Sequence, residues 1–92
     1  MITIYIFTLP GCLACAMLKS SLKRENISFI EIDTTTNRDL WNSILDQGAS
    51  NLLPTVFIKS SDSEEGDLYT MKINFNDTQQ MVEILKANYI NK

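Results

Sequence analysis

The chain has 92 residues, 45% of them hydrophobic and 21% charged, which suits one soluble globular domain and leaves no room for two. Eight Lys and Arg against eleven Asp and Glu give a net charge of −3, which argues against non-specific binding to nucleic-acid phosphates. The two cysteines, Cys12 and Cys15, are too close in sequence for their disulfide to act as a useful staple, so chemistry explains the pair better than stability does.

Residues 2–7 are β-branched or aromatic at nearly every position, which predicts a strand buried on both faces. This segment has no basic leader and no small-residue cleavage pattern, and its apolar run is too short to span a bilayer. The expected compartment is the cytosol, where cysteine pairs rest reduced and are used transiently. Pro10-Gly11 breaks the strand, and from Cys12 the pattern turns helical, with Ala14, Leu18 and Leu22 on one face and Cys15 beside them. Lys19, Lys23 and Arg24 are expected towards water, the last two suiting a helix C-terminus, and Asn26 closes the helix. A second strand is predicted over residues 27–33.

Thr36 or Asn37 is the expected N-cap of a second helix, which carries a stripe of Leu40, Trp41, Ile44 and Leu45 and stops at Gly48. Residues 55–59 read as a third strand after Leu52-Leu53-Pro54, and residues 68–73 as a fourth, with Tyr69, Met71 and Ile73 on one face. Between them Asp62, Glu64, Glu65 and Asp67 form an acidic stretch, read as a solvated loop. Asp77-x-x-Gln80 is the pattern of a capping box opening a last helix, buried through Met81, Val82, Leu85 and Tyr89. The expected fold is therefore α/β: one four-stranded mixed sheet and three helices in the order βαβαββα, with helices on both faces. Trp41, Tyr69 and the methionines fall on apolar stripes and are read as core, while the face taken by Tyr5 is left open.

Cys12-Leu13-Ala14-Cys15 stands where a buried strand meets a helix. Free N–H groups and the helix dipole at such a junction favour an anion, so Cys12 is expected to be the attacking thiolate. Cys15, one helical turn on, is expected to be more enclosed and to resolve the mixed disulfide. Leu13 and Ala14 bring no charge and no hydrogen-bonding side chain. A zinc site needs four ligands, and the chain has no histidine and no third cysteine, so no metal is expected. Two inert buried cysteines are the plainer alternative, and the strand–Pro-Gly–Cys setting counts against it.

The segment Phe7-Thr8-Leu9-Pro10-Gly11-Cys12-Leu13-Ala14-Cys15 resembles the active-site segment of glutaredoxins and of the glutaredoxin-like NrdH-redoxins, and the likeness continues at Leu53-Pro54-Thr55-Val56-Phe57-Ile58. The resemblance implies a thioredoxin-like fold in one domain over residues 1–92, a cis peptide bond at Pro54, and a backbone contact from Leu53 to an extended substrate. Gly11 and Leu13, on either side of Cys12, complete the implied substrate-binding set. Three departures stand out. Leu9 occupies a position that is often basic in glutaredoxins. The usual glutathione-binding Gly-Gly-Asp segment is replaced by Ile73-Asn74-Phe75-Asn76-Asp77, which is closer to the NrdH-redoxin pattern through Phe75 and Asp77. Ile6 stands where thioredoxins carry a buried acid.

The expected activity is that of a dithiol–disulfide oxidoreductase, a monomer reducing protein disulfides, with ribonucleotide reductase a client by family analogy. No cofactor beyond the Cys12/Cys15 pair is expected, and the reductant is glutathione or thioredoxin reductase. The alternatives are a glutathione-dependent glutaredoxin and a redox-inactive binding module of the same fold.

Overall fold

The computed structural model describes residues 1–62 and 65–90, so Glu64 of the acidic stretch lies outside the described residues. Strand β1 (Ile2–Thr8) is central: it pairs in parallel with β2 (Ile30–Asp33) and antiparallel with β3 (Thr55–Ser60). Strand β4 (Gly66–Thr70) pairs antiparallel with β3, giving the sheet order β2-β1-β3-β4. Flanked on both edges and covered on both faces, β1 needs apolar side chains at successive positions, and its C-terminal half supplies them in Ile6 and Phe7.

The two faces of the sheet are filled differently. Ile4 and Ile6 of β1 and Val56 and Ile58 of β3 meet Leu18 and Leu22 of helix α1 (Leu13–Arg24) and Met81, Val82 and Leu85 of helix α3 (Thr78–Leu85). This is the main core, in which a fully buried Leu contributes roughly 1.5–3 kcal/mol. The opposite face carries helix α2 (Arg38–Asp46), through Ile44 and the ring of Trp41, which lies 5.5 Å from that of Phe7. Tyr5 belongs to this second face, with its ring 6.5 Å from Phe57, and so points away from the main core. Leu40, expected on the buried stripe, is 45% exposed, because nine residues of helix cover only part of the sheet.

Two expected strand ends are drawn in, each for a local reason. The second strand starts at Ile30 and not at Ile27, because α1 ends in a Schellman motif. Asn26 takes a φ of 58°, its N–H bonds to Lys23 O, and the Ile27 N–H bonds to Leu22 O at 2.9 Å, committing Ile27 to the helix end and the core. Gly48, with a φ of 106°, ends α2 in the same way through Leu45 O, while Ala49 bonds to Ile44 O.

The fourth strand stops at Thr70, where the Ile73 and Asn74 N–H groups turn back to Thr70 O and Asn74 Oδ1 takes the Thr70 N–H. Lys72 adopts a φ of 71° in this turn, and Ile73, expected to share a strand face with Tyr69 and Met71, is 65% exposed. Phe75 is buried in its place.

The caps also depart in detail. Asn37 sits at the N-cap position of α2 but makes no side-chain cap bond, since its Nδ2 donates to Asp33 O. Asp77 caps α3 by accepting the Gln80 N–H at 2.8 Å, whereas Gln80 Oε1 reaches one residue further than a capping box and accepts the Asn76 N–H. Past α3 the chain widens into a π-helical turn, Lys86–Ile90, that brings the Tyr89 hydroxyl to Asp67 and Tyr69. Asp67 is thus tied to the C-terminal turn, contrary to the expectation of a purely solvated acidic loop.

Candidate active site

The site begins with a tight turn. After β1 the Cys12 N–H bonds back to Leu9 O at 3.1 Å, with Pro10 second and Gly11 third in the turn. Gly11 has a φ of 83°, which a type II turn requires at its third position and which a side chain resists. This turn delivers Cys12 as the N-cap of α1. Its extended backbone (φ −79°, ψ 109°) leaves the side chain over the first turn, where Sγ accepts the Cys15 N–H at 3.2 Å. A sulfur thus occupies the place that Ser, Thr or Asp oxygens usually take.

Cys15, one turn on, is 2% exposed while Cys12 is only partly buried. The two sulfurs are joined as a disulfide, with their Cα atoms 5.3 Å apart. Gly11 and Leu13 flank Cys12 on the open side, and Leu13 is one of the most exposed large apolar residues.

The Leu53–Pro54 peptide is cis, and Leu53 O lies 4.0 Å from Cys12 Sγ. Pro54 is buried and offers no N–H to compete at this point. The bend is braced from outside the motif. Ser50 receives through Oγ the Leu52 N–H, gives its own N–H to Thr70 Oγ1 at 2.8 Å, and donates from Oγ to Met71 O at 2.9 Å. Thr55 Oγ1 donates to Leu52 O. The loop that carries Leu53 is therefore pinned to the end of β4.

A cleft of about 390 Å³ opens from Cys12 towards β2, away from the proline bend. Thr8, Lys19, Glu31 and Asp33 line it together with both cysteines. None of these four entered the sequence-based site. Lys19, expected towards water, instead contacts Glu31 Oε2 with Nζ at 2.8 Å, and Thr8 Oγ1 donates to the same oxygen at 2.7 Å. These bonds, Lys19 first and Thr8 second, hold the Glu31 carboxyl below its ordinary pKa. The pair is partly solvated, so screening limits its worth to at most about 1 kcal/mol. The Asp33 carboxyl is likewise lowered, by the hydroxyl and then the backbone N–H of Thr35.

The alternation of Glu31 and Asp33 on a strand and the i+4 spacing of Lys19 from Cys15 are the only sequence signals for this cleft. Neither couples residue 31 to residues 8 or 19. Among the described residues no group of three or more metal-ligating side chains comes together, and no helix is long and apolar enough to cross a membrane.

A family model described as Glutaredoxin matches residues 4–61. A search of curated proteins finds no match. Among solved structures, a thioredoxin-like protein superposes with a TM-score of 0.61 at 24% identity, covering 92% of this chain and 97% of that one. Chloroplastic thioredoxin z gives a TM-score of 0.64 at 24% identity, over 95% of this chain and 77% of its own. A glutaredoxin from Brucella melitensis gives 0.56 at 20% identity, over 99% and 86%. At these identities the likeness is one of fold.

Proposed function

The chain belongs to the glutaredoxin family and is a thiol–disulfide oxidoreductase, and on that premise we propose that it is a dithiol electron carrier reducing protein disulfides, with Cys12 as nucleophile and Cys15 as resolving thiol. The observation that carries this reading is the position of Cys12 Sγ at the N-cap of α1. There it accepts the Cys15 N–H and faces the Leu53 carbonyl beside the cis bond.

In the reduced protein the same N–H and the helix dipole favour a thiolate at Cys12. That thiolate attacks one sulfur of a substrate disulfide. The substrate S–S bond breaks, one substrate thiolate leaves and takes up a proton, and a mixed disulfide remains on Cys12. Cys15 then gives up its proton and attacks Cys12 Sγ, releasing the second substrate thiol. Two electrons pass from the cysteine pair to the substrate, and the intramolecular disulfide is left. Leu53 contributes its backbone to an extended substrate strand, Pro54 keeps that surface free of a competing donor, and Gly11 and Leu13 frame the approach.

The reductant we favour is a thioredoxin reductase, with ribonucleotide reductase one client by family analogy. Leu9 supplies no cation, and at the start of α3 Gln80 takes the Asn76 N–H and Asp77 takes the Gln80 N–H, so the segment in place of Gly-Gly-Asp meets its own donors. The protein is proposed to act as a cytosolic monomer in one domain, without metal or organic cofactor.

A coupled assay with glutathione plus its reductase, run beside thioredoxin reductase, identifies the reductant. Cys12→Ser is expected to abolish turnover and Cys15→Ser to accumulate a mixed disulfide visible by mass. Undiminished disulfide reduction by Cys12→Ser refutes the assignment.

A further inference from the structure

The cleft between Cys12 and β2 has an uneven charge balance. Lys19, Glu31 and Asp33 are the charged residues that line it, and the rest of its lining is uncharged. Glu31 and Asp33 are alternate residues of one strand and so rise from the same face of the sheet. Glu31 Oε2 takes both Lys19 Nζ and Thr8 Oγ1, and Asp33 Oδ1 takes both donors of Thr35. Glu31 Oε1 has no protein donor among the described residues, and the Asp33 carboxyl takes uncharged donors, those of Thr35 and the Thr36 N–H. The ammonium of Lys19 is committed to Glu31, and Leu9 adds no second cation, so one carboxylate is left over beside the sulfur pair.

We propose that Glu31 and Asp33 make this cleft a charge filter that selects disulfides flanked by cationic residues. The preferred substrate is then a polypeptide disulfide with Lys or Arg beside it. Glutathione disulfide, whose carboxylates outnumber its amines, is disfavoured. The inference rests on Cys12 being the attacking sulfur, and it names the substrate class of that same site. The carboxylates are held in place before the substrate arrives, so attraction costs no side-chain ordering on the protein's part. Charges within a Debye length of about 10 Å act on the encounter and on the bound complex, and do so less as salt rises.

The test uses two disulfide-bridged peptides of one sequence, with either Lys or Glu on each side of the bridge. Second-order rate constants for oxidation of the fully reduced protein are measured at low ionic strength. A thiolate by itself attracts cations, so the variants carry the test and the wild-type preference alone does not. Asp33→Asn keeps an acceptor for Thr35 and is expected to lower the Lys/Glu rate ratio by about threefold or more. Lys19→Gln keeps a donor to Glu31 and is expected to raise the ratio by a similar factor, and 0.5 M salt, on the order of a 4 Å screening length, is expected to draw all three proteins together. A ratio that stays the same in both variants, with circular dichroism unchanged, overturns the charge filter while leaving the exchange mechanism standing. If neither peptide oxidises the reduced wild-type protein, the exchange assignment itself fails and takes this inference with it.

Discussion

The backbone N–H of Cys15 donates to the sulfur of Cys12 at 3.2 Å, so the main chain of the enclosed cysteine supports the sulfur of the more open one. The two residues are coupled twice, once through this donor and once through the disulfide. The turn at Pro10-Gly11 is what allows it. Gly11's φ of 83° swings the chain so that residue 12 caps the helix, and the helix period then brings residue 15 beneath it.

Chemical labelling of the reduced protein reads out this asymmetry. Limiting iodoacetamide at neutral pH is expected to modify Cys12 well ahead of Cys15, since Cys12 is open and faces a donor while Cys15 is 2% exposed. Peptide mass mapping measures the ratio. Equal labelling of both cysteines contradicts the assigned roles.

Phe75 is 2% exposed and packs in the main core, with residue 75 bridged to Met71. Phe75→Ala is therefore expected to cost roughly 3–5 kcal/mol, a large part of what a domain of this size possesses. Phe75→Leu is the milder companion variant. Urea midpoints measure both, and a loss under about 1 kcal/mol in the alanine variant rules out a core role for this ring.

Tyr89 links pH to stability. Burial foremost, then its hydrogen bonds with Asp67 and Tyr69, hold its phenol protonated well above the ordinary value of 10.0. In the unfolded chain the phenol ionises near that ordinary value, so above it the folded state holds a proton that the unfolded state has lost. Stability from this group is fully present below pH 10 and falls as pH rises past it. Tyr89→Phe is expected to cost about 1 kcal/mol at neutral pH. It is also expected to flatten the loss of stability at alkaline pH, seen as converging denaturation midpoints of the two proteins. Parallel curves for the two proteins from pH 8 to 11, a window chosen to bracket the free phenol's value of about 10, would falsify the link.

Local chemistry in the sequence was enough to place the strand before Cys12, the Pro-Gly break, the helix that Cys12 caps and the order of the seven elements. Each depends on residues within a few positions of one another: a β-branched run, a turn dipeptide, a 3.6-residue period. Residue resemblance reached further, to the bend at Leu53-Pro54, whose peptide is cis in the structure. The ends of elements were harder to read, because Ile27 and Ile73 fit a strand by propensity. Ile27 is drawn instead into the end of α1, and Ile73 is turned outward by the hydrogen bonds around Thr70 and Asn74.

Tertiary structure alone decided the charged cleft and the bracing of the proline loop. Thr8 and Glu31 are 23 residues apart, and Ser50 and Thr70 are 20 apart, so no short pattern links either pair. They meet because β2 returns parallel to β1 and β4 folds back on β3, and strand register sets which side chains become neighbours. A sequence carries the period of each element, whereas the partner across a sheet is fixed only when the whole sheet has formed.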